Sequence, residues 1–512
     1  MTLQEKIGQR LMTGFPGTEM SEEFRQVVRT HKIGNVILFR ENILNCSQLK
    51  QLCRDIQEFV RKETGHSAFI AVDQEGGIVT RLKEDGVNVP GAMALAATGD
   101  PENAYRAGKL IGKELRALGP NFNFAPTVDV NSNPKNPVIG VRSYGDDPHM
   151  VGRFAARSVQ GLLEGGVLCT AKHFPGHGDT DRDSHLALPC VDKSLEEMEQ
   201  VELIPFQAAI AAGVPAVMTA HILFPKIEPD LIPATMSRRI MQGLLREKLG
   251  FQGIIVSDCM EMAAIRSHYG VANGTLAAFK AGVDLVEITH HPLLCAEAAA
   301  HLLEAAKSGE LDLQEMEESV NRILEAKKHW IDDMVPCEFD FTAGAEESYS
   351  LMEQTITQVC PPAEGFRLSE TPLCIGCEPY RVSLVGNVDE KNGNPFGVQM
   401  AEELHGVCAN MERNPSDEEI AALVSQAKQH GSAVVGTFHA AVNPGQKALV
   451  RALADAGVPT AVVALRTPYD LQEMPEGVWA IVAYEYSPQS IRAAAKVLAG
   501  KRAATGKLPV RM

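Results

Sequence analysis

Along the first 330 residues, short uninterrupted apolar runs alternate with longer stretches of amphipathic, helical periodicity. The runs are NVILF (35–39), AFIAVDQEGG (68–77), NFNFAPTVDV (121–130), VLCTAKHFPG (167–176), PAVMTAHILFP (215–225), GIIVSDCMEM (253–262) and GVDLVEI (282–288). Strands that read as continuous apolar runs are buried on both faces, which points to a parallel sheet with crossover helices. Seven such units predict an α/β fold of the (β/α)8 type, a TIM barrel of irregular build because no eighth strand is evident. A doubly wound open sheet is the alternative. In either architecture ligands bind at the carboxyl ends of the strands. The polar residues there are Asp73, Gln74 and Glu75, then Asp129 and Asn131, Lys172 and His173, His221, and finally Asp258 and Glu261.

Past residue 330 the rhythm stops, and WIDDMVPCEFDFTAGAEESYS reads as a linker followed by a helix. A second α/β pattern follows in RVSLVGN (381–387), GSAVVGTF (431–438), PTAVVAL (459–465) and WAIVAYEY (479–486). Between its first two runs, Ser416 and Glu419 have capping-box spacing and Gly431 closes the helix. The expected division is a barrel domain over 1–335, a linker and helix over 336–378, and a C-terminal open-sheet αβα domain over 379–512. Neither GxGxxG nor GxxxxGK[ST] occurs in that last domain, so no nucleotide is assigned to it.

Composition narrows the function. The 512 residues carry a net charge of -17, which disfavours nucleic acid and anionic membrane surfaces as partners. No apolar run approaches the roughly 18 residues of a membrane-spanning helix. The N-terminal MTLQEKIGQRLMTGFPG alternates polar and apolar residues in helical fashion and lacks signal-peptide features, so a cytoplasmic location is expected. Eleven cysteines, irregularly spaced, fit free thiols in a reducing compartment, and CIGC (374–377) has no second cysteine pair to complete a metal site. A monomer or homodimer is expected.

KHFPGHGDTDRDSH (172–185) concentrates three histidines and three aspartates in fourteen positions. As a calcium loop, DTDRDS fails at its sixth position, Ser184, and at its twelfth, Cys190. As a zinc site, His173, His177 and His185 lie four and eight residues apart in a Gly/Pro-broken segment with no HExxH or cysteine set, so no metal is expected. In DSH a turn can bring the Asp183 carboxylate against the His185 imidazole, fixing its tautomer and favouring its protonated form. Pro175, Gly176 and Gly178 suit a shaped excursion from a strand end. A proton carrier needs a partner, and Asp258, at the tip of GIIVSD, is the leading candidate for a nucleophilic or stabilising carboxylate. Glu261 competes for that role.

Together ILFREN, DQEGGIVTRL, NFNFAPTVDVNSNPKNPVIGVRSYG, KHFPGHGDTDRDSHLALP and GFQGIIVSDCMEM resemble glycoside hydrolase family 3, in its bacterial β-N-acetylglucosaminidase branch. The C-terminal pattern is similar to the second domain of the longer members. The resemblance implies that Asp258 is the nucleophile and that His185, paired with Asp183, is the acid/base. It also implies that Asp73, Arg81, Arg142, Lys172 and His173 grip the sugar. A cofactor-free retaining exo-β-N-acetylglucosaminidase acting on small carbohydrates such as peptidoglycan fragments is the expected function. A β-N-acetylglucosaminide phosphorylase and a family β-glucosidase are the alternatives.

Overall fold

Eight short parallel strands ring a core of inward-facing side chains in the computed structural model, which describes residues 1–180, 188–382, 386 and 393–512. They are β1 (Leu11–Thr13), β2 (Asn35–Ile37), β3 (Phe69–Val72), β4 (Phe122–Asn123), β5 (Leu168–Phe174), β6 (Ala216–Thr219), β7 (Ile254–Val256) and β8 (Val286–Ile288). Their order is β7-β6-β5-β4-β3-β2-β1-β8. The ring nearly closes where Val256 bridges Leu285 and the Ser257 hydroxyl accepts the Glu287 N–H at 3.0 Å.

The strand that the apolar pattern did not reveal is the first. The helical alternation at the N-terminus covers only the helix Leu3–Gln9, and after the single residue Arg10 the chain is already in β1. Three residues abutting a helix are too few to break its periodicity. Arg10 is buried nonetheless, donating to the Asp284 and Val283 carbonyls with its guanidinium over Phe279.

Strand alternation sorts the side chains. Met12, Ile37, Phe69, Ala71, Phe122, Leu168, Ala216, Ile254 and Leu285 pack together along the barrel axis. Their neighbours, such as Ile70, Val72, Val217, Ile255 and Val286, belong to the cluster shared with the surrounding helices. The helices start where the chain supplies caps: Asp100 and Asp147 each accept a first-turn N–H, with proline next, before Pro101–Leu118 and Pro148–Gly165.

The second sheet contains β9 (Thr357–Cys360), β10 (Leu373–Gly376), β11 (Val407–Asn410), β12 (Ala433–Thr437), β13 (Thr460–Ala464) and β14 (Trp479–Val482), in the order β11-β10-β12-β13-β14-β9 with β9 antiparallel. The run expected at 381–387 falls largely outside the described residues, and two strands of this sheet, β9 and β10, precede it. Its described residues, Arg381, Val382 and Gly386, lie in no strand. β10 overlaps the CIGC segment, where Cys374 and Cys377 are buried free thiols whose pKa values burial pushes up to about 12. This second layer rests on the barrel. The Asn131 amide donates to the Tyr469 hydroxyl at 3.1 Å, the Gly91 N–H to Glu485 at 3.3 Å, and the Lys507 N–H to the Ala97 carbonyl at 2.7 Å.

Candidate active site

Continuing each strand's alternation past its last residue brings the next inward side chain to the barrel mouth. Beyond Phe69 and Ala71 comes Asp73, beyond Leu168 and Thr170 comes Lys172, and beyond Ile254 and Val256 comes Asp258. All three line one cavity of about 580 Å³, together with Arg81, Arg142, His173 and Glu287. The packed axis of the barrel floors it. Arg381 and Gly386 of the second domain also line it, so its wall is built from both halves of the chain.

One side of the cavity is a chain of alternating charges. Arg81 donates to Asp73 at 3.1 Å, and Lys172 reaches Asp73 at 2.9 Å and Glu75 at 2.7 Å. Arg142 grips Glu75 with two bonds of 2.9 and 2.7 Å. Burial alone would raise the Asp73 carboxyl, but Lys172 and Arg81 outweigh it and hold the pKa down at about 2. Glu75 is likewise lowered, against burial, by Arg142 and Lys172. Lys172 is raised because the two carboxylates overcome its own desolvation. The result is a rigid, fully ionised row of donors and acceptors, suited to a ligand rich in hydroxyl groups.

His173 stands beside this row. Its Nδ1 lies 2.8 Å from Asp129, which also accepts the His173 N–H at 3.2 Å and the His177 N–H at 2.6 Å. Asp129 therefore shapes the turn that leaves β5. The Asn136 amide donates to the His177 and Gly178 carbonyls at 2.8 and 3.0 Å. A Cβ on Gly178 would fall 1.6 Å from the Val130 carbonyl oxygen, so only glycine fits there. His177 is buried, and desolvation followed by the nearby His173 lowers its pKa to about 4, which keeps it neutral at pH 7. Asp183 and His185 lie outside the described residues.

Asp258 is part-buried and accepts the Cys259 N–H at 2.8 Å. Behind that turn His221, fully buried, touches the Cys259 carbonyl at 3.0 Å and Thr235 at 2.9 Å. Glu261 is engaged otherwise: it accepts the His290 and His291 N–H groups at 2.7 and 3.2 Å and pairs with the His291 ring. Asp73, Arg81, Arg142, Lys172, His173 and Asp258, expected from the sequence, thus line one cavity. Glu75 and Asp129 are strand-end residues to which the sequence attaches no role. Glu287 is a further lining residue, whose signal in the sequence is a lone carboxylate at an inward position of an apolar strand.

The N-terminal domain of glycosyl hydrolase family 3 matches residues 2–326 and the C-terminal domain of the same family matches residues 304–512. The chain belongs to glycosyl hydrolase family 3. It is 36% identical over 368 residues to the beta-hexosaminidase A of Pseudoalteromonas piscicida, a match covering 64% of this chain and 61% of that protein. It is 38% identical to the beta-hexosaminidase of Stenotrophomonas maltophilia (strain K279a), over 56% of this chain and 84% of the relative. Among solved structures it is similar to a family 3 beta-N-acetylglucosaminidase from Paenibacillus sp. str. FPU-7, at 38% identity and a TM-score of 0.93, covering 100% of this chain and 99% of that one. The beta-glucoside phosphorylase BglX, at 23% identity and a TM-score of 0.82, shares the fold. Among the described residues no helix is long and apolar enough to cross a membrane.

Proposed function

We propose that this family 3 member is a retaining exo-β-N-acetylglucosaminidase that removes terminal β-linked N-acetylglucosamine from small glycans such as peptidoglycan fragments. The observation that carries the reading is the shared cavity: Asp258 opens onto the same space as the ionised row from Arg81 to Arg142. In the first step Asp258 attacks the anomeric carbon, and the bond to the leaving oxygen breaks as that oxygen takes a proton. The sequence assigns the proton to His185, with Asp183 fixing the imidazole tautomer. In the second step the neutral imidazole removes a proton from water, which displaces Asp258 with a second inversion and so restores the β configuration.

The row Arg81, Asp73, Lys172, Glu75 and Arg142 binds the hydroxyl groups and holds the ring over Asp258. A cavity closed below by the barrel core suits a terminal sugar. Residues 1–335 form the catalytic domain in this proposal, and 379–512 lend a wall to the cavity. The free cysteines suit a reducing, cytoplasmic setting, with the chain acting as a monomer or homodimer. The test is release of nitrophenol from aryl N-acetyl-β-D-glucosaminide and aryl β-D-glucoside in parallel. Clear preference for the acetamido sugar is expected; preference for the glucoside refutes the substrate assignment.

A further inference from the structure

At β8, Glu287 and the preceding Leu285 face the barrel axis, and Val286 and Ile288 face the helices. Glu287 is 2% exposed and lines the cavity, whose wall also includes the apolar side chains of Ile37, Phe124 and Met218. Its Oε1 has no hydrogen-bond partner among the described residues. A buried carboxyl oxygen left unsatisfied is costly, and at the floor of a ligand cavity the ligand is the group that can complete it. The charged groups acting on it are Asp258 beyond β7, Asp73 beyond β3 and Lys172 of β5. Lys172 is already shared between Asp73 and Glu75.

We propose that Glu287 is a specificity-determining contact, its carboxyl group on the cavity floor closing a hydrogen bond with the C2 substituent of the bound sugar. The inference rests on the function proposed above. Glu287 and Asp258 line the same cavity, each two residues beyond the Val256–Leu285 bridge that joins β7 to the start of β8. In a pyranose attacked by Asp258 at C1, the substituent nearest the nucleophile is the one on C2. Burial first, then the two carboxylates, hold the Glu287 carboxyl well above its ordinary range, which favours its protonated form. A protonated carboxyl donates as well as accepts. Donation suits the carbonyl oxygen of an acetamido group, and ionisation would place a third negative charge beside Asp258 and Asp73.

The experiment compares wild type, Glu287→Gln and Glu287→Leu on aryl N-acetyl-β-D-glucosaminide and aryl β-D-glucoside, with melting temperatures and pH profiles for each. Leucine removes the hydrogen bond at similar volume and is expected to lower kcat/KM for the acetamido substrate roughly 10- to 100-fold, and for the glucoside much less. Glutamine keeps a donor and is expected to restore most of the loss. The wild type is expected to lose activity at alkaline pH as Glu287 ionises, and the glutamine variant is expected to lack that decline. If Glu287 only packs, leucine keeps the selectivity and raises the melting temperature, which overturns the inference. If leucine does not fold, an alkaline decline unchanged in Glu287→Gln overturns it. A wild type inactive on the acetamido substrate overturns the reading beneath it, and the inference with it.

Discussion

Lys172→Met keeps the length of the side chain and removes the ammonium shared by Asp73 and Glu75. The wild-type pairing draws the Asp73 pKa from 3.8 down to about 2. At 1.36 kcal/mol per unit this is roughly 2 kcal/mol of stability at neutral pH. Because the folded value is depressed, that contribution is complete above the unfolded value near 4 and disappears as the pH falls towards 2. Without Lys172, two buried carboxylates are left with Arg81 and Arg142 alone, and breaking a buried pair from one side costs roughly 3–5 kcal/mol. For a domain of this size the melting temperature at pH 7 should drop by roughly 4–7 °C. The less compensated carboxylate of the variant should take up a proton as the pH is lowered from 7 towards 4, so the gap to wild type should narrow over that range. Scanning calorimetry across those pH values measures both effects. A melting temperature within 2 °C of wild type (roughly 1 kcal/mol), with a gap independent of pH, would refute the reasoning about the charge row.

His185→Ala should reduce kcat/KM about 10²- to 10⁴-fold on substrates whose leaving group needs a proton, and far less on aryl glycosides whose phenolate leaves unaided. Equal losses on both would remove His185 from the acid role. Gly178→Ala drives a methyl group into the Val130 carbonyl, so the turn held by Asn136 and Asp129 should be displaced. Activity should fall by at least about 10²-fold with a much smaller change in melting temperature, because the barrel core is untouched. Wild-type activity in this variant would show that the turn has no part in the site.

Seven of the eight barrel strands were legible because buried parallel strands leave apolar runs several residues long. β1 was not, since three residues beside a helix carry no period of their own. The site was legible where a polar residue followed directly on such a run, as Asp73, Lys172 and Asp258 do. The pairing of Glu75 with Arg142 was not, because it joins residues 67 positions apart through the fold. In the second domain β10 was hidden by its cysteines, whose spacing suggests redox or metal chemistry although burial has made them core. Glu287 was hidden in a run read only for its apolar neighbours, yet alternation alone puts it on the inward face.

The most direct test of the central claim is to trap the sugar on the enzyme. An activated 5-fluoro N-acetylglucosaminyl donor slows the second step, and digestion followed by mass spectrometry locates the bound sugar. The account predicts a single adduct on the peptide containing Asp258, abolished in Asp258→Asn. An adduct on Glu261, or turnover with inverted product and no adduct, would contradict it.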